Sequence, residues 1–447
     1  MKAFSGKHLL LALVVLVLIG CKTKQKVTDD SVTPVLKKIA VTNVVIDEVP
    51  NYMVGTSEPS ITCNPQNPQQ LIAGSVYDNV YTSDDAGQTW SKSQLRSSLG
   101  VYGDPCLVAD NREHVYYLHL AGHRAKGHND PMFLNSIVLQ RSDDNGKTWS
   151  DGTSIGPNSP KKQDKEWAVI DPNNGNIYVT WTEFDRYSSD NPNHKSRIRF
   201  AKSTDFGQTF SDAITISSNE GTARDDWSST EGAVPAVDKQ GHIYVAWGLN
   251  EKIYFNKSTD GGKTWLDEDL FVAGQTGGWD MQVPGVSRCN GMPVTVVDNS
   301  DSPYQGTVYI NWTDARHGKD NLDVFLIKSS DGGNTWSKPV RVNQDNTRTQ
   351  QYLTWMTVDP VTGYLYFVYF DRSRHTGNQT EVVVTVSKDG GETFQSYIVS
   401  ERPFVSRDGF FLGDYNNIIA YDGMVRPIWT SLNGDKKSIR TALIDHL

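Results

Sequence analysis

Strands in which apolar and polar residues alternate recur along the chain. Lys252-Ile253-Tyr254-Phe255-Asn256-Lys257 is one example, and a period of two is the mark of a half-buried strand. Six such strands run into one turn pattern, Ser-x-Asp-x-Gly-x-Thr followed by Trp or Phe. Its copies begin at Ser83, Ser142, Ser203, Ser258, Ser329 and Ser387 and end at Trp90, Trp149, Phe210, Trp265, Trp336 and Phe394. The residue types suit a hairpin turn: serine and aspartate side chains bond the turn backbone, glycine takes a left-handed position, and the aromatic packs between sheets. A second repeat consists of short strands ending at Asn64, Asp110, Asp171, Asp238, Asp298, Asp359 and Asp422. Aromatic-rich partners follow, among them Tyr178-Val179-Thr180-Trp181, Tyr244-Val245-Ala246-Trp247 and Tyr309-Ile310-Asn311-Trp312.

Self-similarity at roughly 60 residues predicts an all-β propeller. Seven inner hairpins set against six turn motifs favour seven blades, with a six-bladed ring and a loose terminal hairpin as the alternative. The last blade has three strands within Asp414 to Ile444, and its outer strand is expected from the N-terminal run Ile39 to Ile46, which pairs an edge otherwise left open. Residues 37–447 are thus expected to form one propeller domain.

The remaining N-terminal residues read as an address. Lys2 and Lys7 precede the apolar run Leu9 to Ile19, which is too short for a mature membrane span and suits a secretory leader. It ends in Leu18-Ile19-Gly20-Cys21, which resembles a bacterial lipobox, so Cys21 is the expected lipid attachment point after a signal peptide over 1–21. Residues 22–36 then form a flexible tether. A lipid-anchored protein of the outer membrane or cell surface, monomeric, is expected. The whole chain of 447 residues carries a net charge of -9, which argues against a nucleic-acid partner. Its 12 tryptophans argue against disorder, and 4 cysteines cannot staple a fold of this size. Cys63 and Cys106 fall on adjacent inner strands, where a disulfide is one option and two buried thiols the other. No zinc-type spacing of cysteine and histidine is present, and neither a metal nor a cofactor is expected. Gly152-Thr153-Ser154-Ile155-Gly156 opens no helix and so is no nucleophile elbow. Gly262-Lys263-Thr264 lacks the first glycine of a phosphate loop, since position 257 is Lys.

With strands A to D numbered outward from the axis, the turn motifs occupy the C–D turns and share a face with the A–B turns. The D-to-A and B-to-C connections converge on the other face, where loops on a rigid frame would carry function. At the starts of the A strands stand Glu58, Asp104, Glu166, Glu231 and Asp414. Neighbouring D-to-A loops add Arg224, Asp225, Asp226, Arg288 and Arg407, and the B-to-C loops add Glu183, Asp185, Asp314, Arg316, Asp371 and Arg372. Carboxylates facing arginines suit a charged sugar, because arginine clamps an anion bidentately and paired acids perform glycosidic acid/base work. Glu231 and Asp104 are the expected acid and base. Arg288, Arg316 and Arg372 are expected to hold an anionic group, and Glu58, Glu166 and Asp414 to line the site. Trp167, Trp227, Trp279 and Trp355 lie outside both repeats, and Trp227 is the candidate to stack on a sugar ring.

The Ser-x-Asp-x-Gly-x-Thr motifs resemble the Asp-box, or BNR repeat, of the sialidase-like superfamily, and the resemblance covers nearly the whole chain after the leader. It implies a propeller acting on glycans. Glu231-Gly232-Ala233-Val234-Pro235 is similar to the glutamate strand of sialidases, and the resemblance makes Tyr415 the candidate nucleophile. The first-blade arginine motif of sialidases is absent, since the comparable stretch reads Ser57-Glu58-Pro59-Ser60. The leading expectation is an exo-acting glycoside hydrolase for an anionic sugar, with a lyase as a lesser variant. A non-catalytic glycan-binding or protein-interaction propeller is the alternative.

Overall fold

The computed structural model describes residues 36–50, 56–124, 126, 130–407 and 410–447, which belong to a single unit. Cys21, the leader and all of the tether before residue 36 lie outside the described residues. Seven antiparallel sheets make up the unit, with no helix among the described residues. Their inner strands are Ser60–Asn64, Cys106–Ala109, Lys162–Ile170, Glu231–Val237, Val294–Val297, Gln351–Val358 and Asn417–Tyr421. Each inner strand packs against that of the next blade, and the seventh packs against the first, which closes the ring. The six-bladed alternative is thereby overturned.

The seventh blade explains why seven sheets carry six turn motifs. Its strands Asn417–Tyr421, Met424–Asn433 and Lys436–Asp445 come from the end of the chain, and its outermost strand is Thr42–Val49. Val44 lies opposite Thr441 and Val49 opposite Lys437. A blade whose last strand arrives from the other end of the chain has no C–D turn to hold a motif. Lys37–Lys38 adds a short parallel pairing to the outer strand of blade 6, Gln395–Ile398. Between the blades, Trp181, Trp247, Trp312 and Trp429 are completely buried.

The six motifs repeat one set of serine and threonine hydrogen bonds, to which the first two add a bond from the tryptophan Nε1. In the first, Ser83 Oγ donates to Asp85 Oδ1 at 2.8 Å, and Gly87 N donates to Ser83 Oγ at 2.9 Å. Thr89 N and Oγ1 then donate to the two Asp85 oxygens at 2.9 and 2.6 Å, and Trp90 Nε1 to the Gly87 carbonyl at 2.9 Å. The same serine and threonine bonds recur at Asp144, Asp205, Asp260, Asp331 and Asp389. These carboxylates are consumed by their own turns, as the residue types require.

Cys63 and Cys106 are free thiols, as is Cys289. Burial pushes the Cys63 thiol up to about 12 and the other two higher still.

Candidate functional site

Two large cavities lie among the inner strands. One, of about 530 Å3, gathers the strand ends and A–B turns through residues such as Thr62, Val108, Ile170, Val297, Val358 and Ile419. It is walled mostly by aliphatic groups. The other, of about 500 Å3, lies where the inner strands begin, and the D-to-A and B-to-C connections build it. Along its strand, Trp167 stands between Lys165 of the charged cavity and Val169 of the other, and it packs against Trp355 of the sixth blade. Their rings pack at 4.4 Å, and Tyr415 meets Trp167 at 5.0 Å.

The charged cavity owes its shape to one backbone device used repeatedly. Glu58, Asp104 and Lys165 all have left-handed φ, 53°, 54° and 53°, near the starts of the first three inner strands. Such a conformation costs a non-glycine residue about 1–3 kcal/mol and persists where its surroundings enforce it, most often at functional sites. Glycine does the same work in the fourth and seventh blades, at Gly232 and Gly413. All three strained residues line the cavity.

An ion cluster results. Lys165 is 3% exposed, and its Nζ lies 2.7 Å from both Asp104 Oδ2 and Asp414 Oδ2 and 3.7 Å from Glu58 Oε1. Arg288 grips Asp414 with two nitrogens, its Nε at 2.7 Å, and a third nitrogen stands 3.5 Å from Asp225. The Tyr187 hydroxyl donates to Asp225 at 2.6 Å. Burial works against the Lys165 charge, but Asp104, Asp414 and Glu58 outweigh it and carry the ammonium well above its ordinary range. Asp414 is as deeply buried, yet Lys165 and Arg288 hold it below the usual carboxylate range. Glu58 goes the other way: burial, reinforced by Asp104, lifts it well above. Burial also lifts Asp164 to about 8, because Lys165 offsets only part of the desolvation. One Asp164 oxygen accepts the Lys165 N–H at 3.0 Å. Tyr77, Tyr102, Phe133 and Phe411 give the cavity aromatic walls, with Tyr102 edge-on to Phe133 at 4.8 Å. A cavity that offers aromatic faces, a protonated carboxyl and an ion-paired carboxylate can stack a sugar ring and move protons at its linkage.

Of the residues expected from sequence, the structure brings together Glu58, Asp104, Asp414 and Arg288. The others stand elsewhere. Glu231 is completely buried, with Oε2 3.4 Å from the Thr182 hydroxyl and Oε1 unpartnered. It feels Asp225 and Asp164 but does not line the cavity. Glu166 is buried with both carboxyl oxygens unpartnered. Tyr415 is 1% exposed in the aromatic core, its hydroxyl 3.4 Å from the Pro105 carbonyl. The expected mouth position of all three is corrected to the interior. Arg316 wraps onto Asp314 and the Gly274 carbonyl, with its guanidinium 3.9 Å over the Phe325 ring. Arg372 is 1% exposed and spends its nitrogens on Thr380, Gln350, Tyr352 and Ser406. These two arginines therefore brace their own loops and not a shared clamp. Trp227 is exposed on the loop before the fourth blade and is not among the cavity walls.

Asp164, Lys165, Lys437 and the aromatic walls were not foreseen. The run Gln163-Asp164-Lys165-Glu166 carried a signal, since three adjacent charges at the start of a buried strand demand partners. Strict alternation puts Asp164 and Glu166 on one face. The register slip between Asp164 and Trp167 breaks that alternation and sends Glu166 to the core.

The family profile described as BNR/Asp-box repeat matches residues 81–92 and 140–151, the turn motifs of the first two blades. With seven sheets around them, these repeats decide the matter. The chain is a seven-bladed Asp-box propeller. No curated protein sequence matches this Asp-box propeller. Among solved structures, its fold is similar to a protein of unknown function from Dyadobacter fermentans, at 16% identity and TM-score 0.53 over 79% of this chain and 99% of that one. It is also similar to a PL25 ulvan lyase bound to -[GlcA(1-4)Rha3S]-, at 13% identity and TM-score 0.52 over 89% and 96% of the two chains. The NanB sialidase from Streptococcus pneumoniae aligns at 11% identity and TM-score 0.48 over 76% and 68%. At such identities the likeness is one of fold.

Proposed function

We propose that this Asp-box propeller is an exo-acting enzyme that hydrolyses a glycosidic bond in its axial cavity. Asp164 is the proton donor, and Asp104, held as a carboxylate against Lys165, is its partner. The observation that carries the reading is a pair of carboxyls at the starts of adjacent inner strands, one lifted by burial and the other ion-paired with Lys165. Burial keeps Asp164 protonated up to about 8, while Asp104 sits in an ion pair at 2.7 Å. Two carboxyls with opposed protonation are what glycoside hydrolysis needs, one protonating the leaving oxygen and the other acting as base or nucleophile. Aromatic walls around a cavity of about 500 Å3 support action on a terminal sugar. A polysaccharide lyase on a similar fold supports a glycan ligand.

The test is release of reducing ends from a panel of glycans, with unsaturated products followed in parallel by ultraviolet absorbance. Wild-type protein is expected to release reducing ends without unsaturation, and Asp104→Asn to lose that activity. Unsaturated ends would assign a lyase. Binding of a glycan with no product from any member of the panel would assign a non-catalytic binder.

The leader supports a further proposal, that the protein is anchored at the cell surface or outer membrane through Cys21. Fatty-acid labelling of expressing cells is expected to mark the wild type and not Cys21→Ala. Equal labelling of both would refute the anchor.

A further inference from the structure

The cavity on the Asp-box side holds about 530 Å3 and shares no lining residue with the charged one. Val108, Ile170, Val358 and Ile419, from the inner strands of blades 2, 3, 6 and 7, supply its aliphatic wall. These four side chains are only half-buried, although they stand on the strands nearest the axis. Leu107, Met356 and Ile418, one or two positions earlier, are buried. Folding thus leaves apolar surface open at the axis, and a ligand that covers it gains hydrophobic free energy that folding did not. The wall carries two acids, and both are spent on their own turns. Asp110 accepts Arg112 N at 2.9 Å, His114 N at 3.0 Å and the Tyr116 hydroxyl at 3.1 Å. Asp171 accepts Asn173 N at 2.9 Å and Asn174 Nδ2 at 2.7 Å. Among the described residues that line the cavity, none is a lysine, arginine or histidine. The Cys63 thiol shares the wall, and burial pushes it up to about 12, as apolar surroundings would. Thr62, Thr357 and Tyr421 line it too, and their hydroxyls bond no other described residue.

We propose that this second cavity binds an uncharged aliphatic molecule, a medium-length hydrocarbon chain that ends in a hydroxyl. The assignment goes beyond the glycan reading and does not depend on it. A volume of about 530 Å3 lies in the range of small-molecule sites. The aliphatic wall covers the chain, and Thr62, Thr357 and Tyr421 offer hydrogen bonds to its single polar end. A charged ligand would lose its water and meet no free counter-charge, and a sugar would bury more hydroxyls than these three groups can satisfy.

Saturation-transfer difference NMR titrations with straight-chain alcohols test the assignment on full-length protein. From butanol to octanol the dissociation constant is expected to fall about fourfold per added methylene, the gain from burying each one. Octanoate and octylammonium carry the same chain with a charge, and they are expected to bind about tenfold or more weakly than octanol. Ile170→Asp puts a charge in the wall and is expected to weaken octanol about tenfold or more, with its melting temperature confirming the fold. If Ile170→Asp does not fold, Val108→Phe decides, because its ring fills the space and should weaken octanol by a similar factor. Four results would each overturn the assignment: alcohols that do not bind, an affinity that does not grow with chain length, charged chains that bind as tightly as octanol, and octanol binding unchanged in the wall variant. None of them touches the glycan reading.

Discussion

Asp164→Asn is expected to lose at least about a hundredfold in kcat while remaining folded, because a positioned general acid contributes roughly 10²–10⁴-fold. Asparagine preserves the shape and the acceptor for the Lys165 N–H but has no proton to give. The wild-type pH–rate profile is expected to fall on its alkaline side near pH 8, where Asp164 gives up its proton. Stability moves with the same group. Its folded pKa lies above the unfolded value of about 3.9. Its favourable contribution is therefore complete below about pH 4 and is lost as pH rises toward 8. Melting temperatures measured between these limits should fall more steeply for the wild type than for Asp164→Asn. An Asp164→Asn enzyme with wild-type kcat and an unchanged alkaline limb would remove Asp164 from the reaction.

Lys165→Met should unfold far more easily than the wild type, with a loss of about 3–5 kcal/mol, the usual consequence of breaking a buried ion pair from one side. The variant leaves Asp104, Asp414 and Glu58 facing one another without the ammonium that stands 2.7, 2.7 and 3.7 Å from them. Part of the loss should return as pH is lowered and the exposed repulsion is relieved by protonation. Adding Asp104→Asn to Lys165→Met should restore part of it as well. Denaturant midpoints at neutral and acidic pH measure both effects. A loss below about 1 kcal/mol would mean that the cluster does not depend on its lysine.

The fold was legible because its signals are local. Each Asp-box is closed by a serine and a threonine within four residues of its aspartate, so the sequence motif and the structure are nearly the same object. The strand Thr42–Val49 was legible as the partner of a blade that lacked one. The site was legible only where a side chain at a strand start has no local partner, as with Glu58, Asp104, Asp414 and Arg288. Arg316 and Arg372 looked alike in sequence, but Asp314, Thr380 and Ser406 satisfy them within their own blade or the loop beside it. Glu231 and Glu166 were placed at the mouth and lie inside because of backbone slips at the strand starts, which the alternation of residue types does not announce. Tyr77 and Phe411 come from loops and Lys437 from the third strand of the seventh blade, and only closure of the ring brings them to one cavity.

The most direct test of the account is a crystal structure of Asp164→Asn soaked with a sugar that the wild-type protein binds or cleaves. The ring is predicted to lie among Tyr77, Tyr102 and Phe411, with a polar atom of the sugar in hydrogen-bond contact with Asp104. A sugar seated instead among Val108, Ile170 and Ile419 on the Asp-box side, with the Lys165 cavity empty, would contradict it.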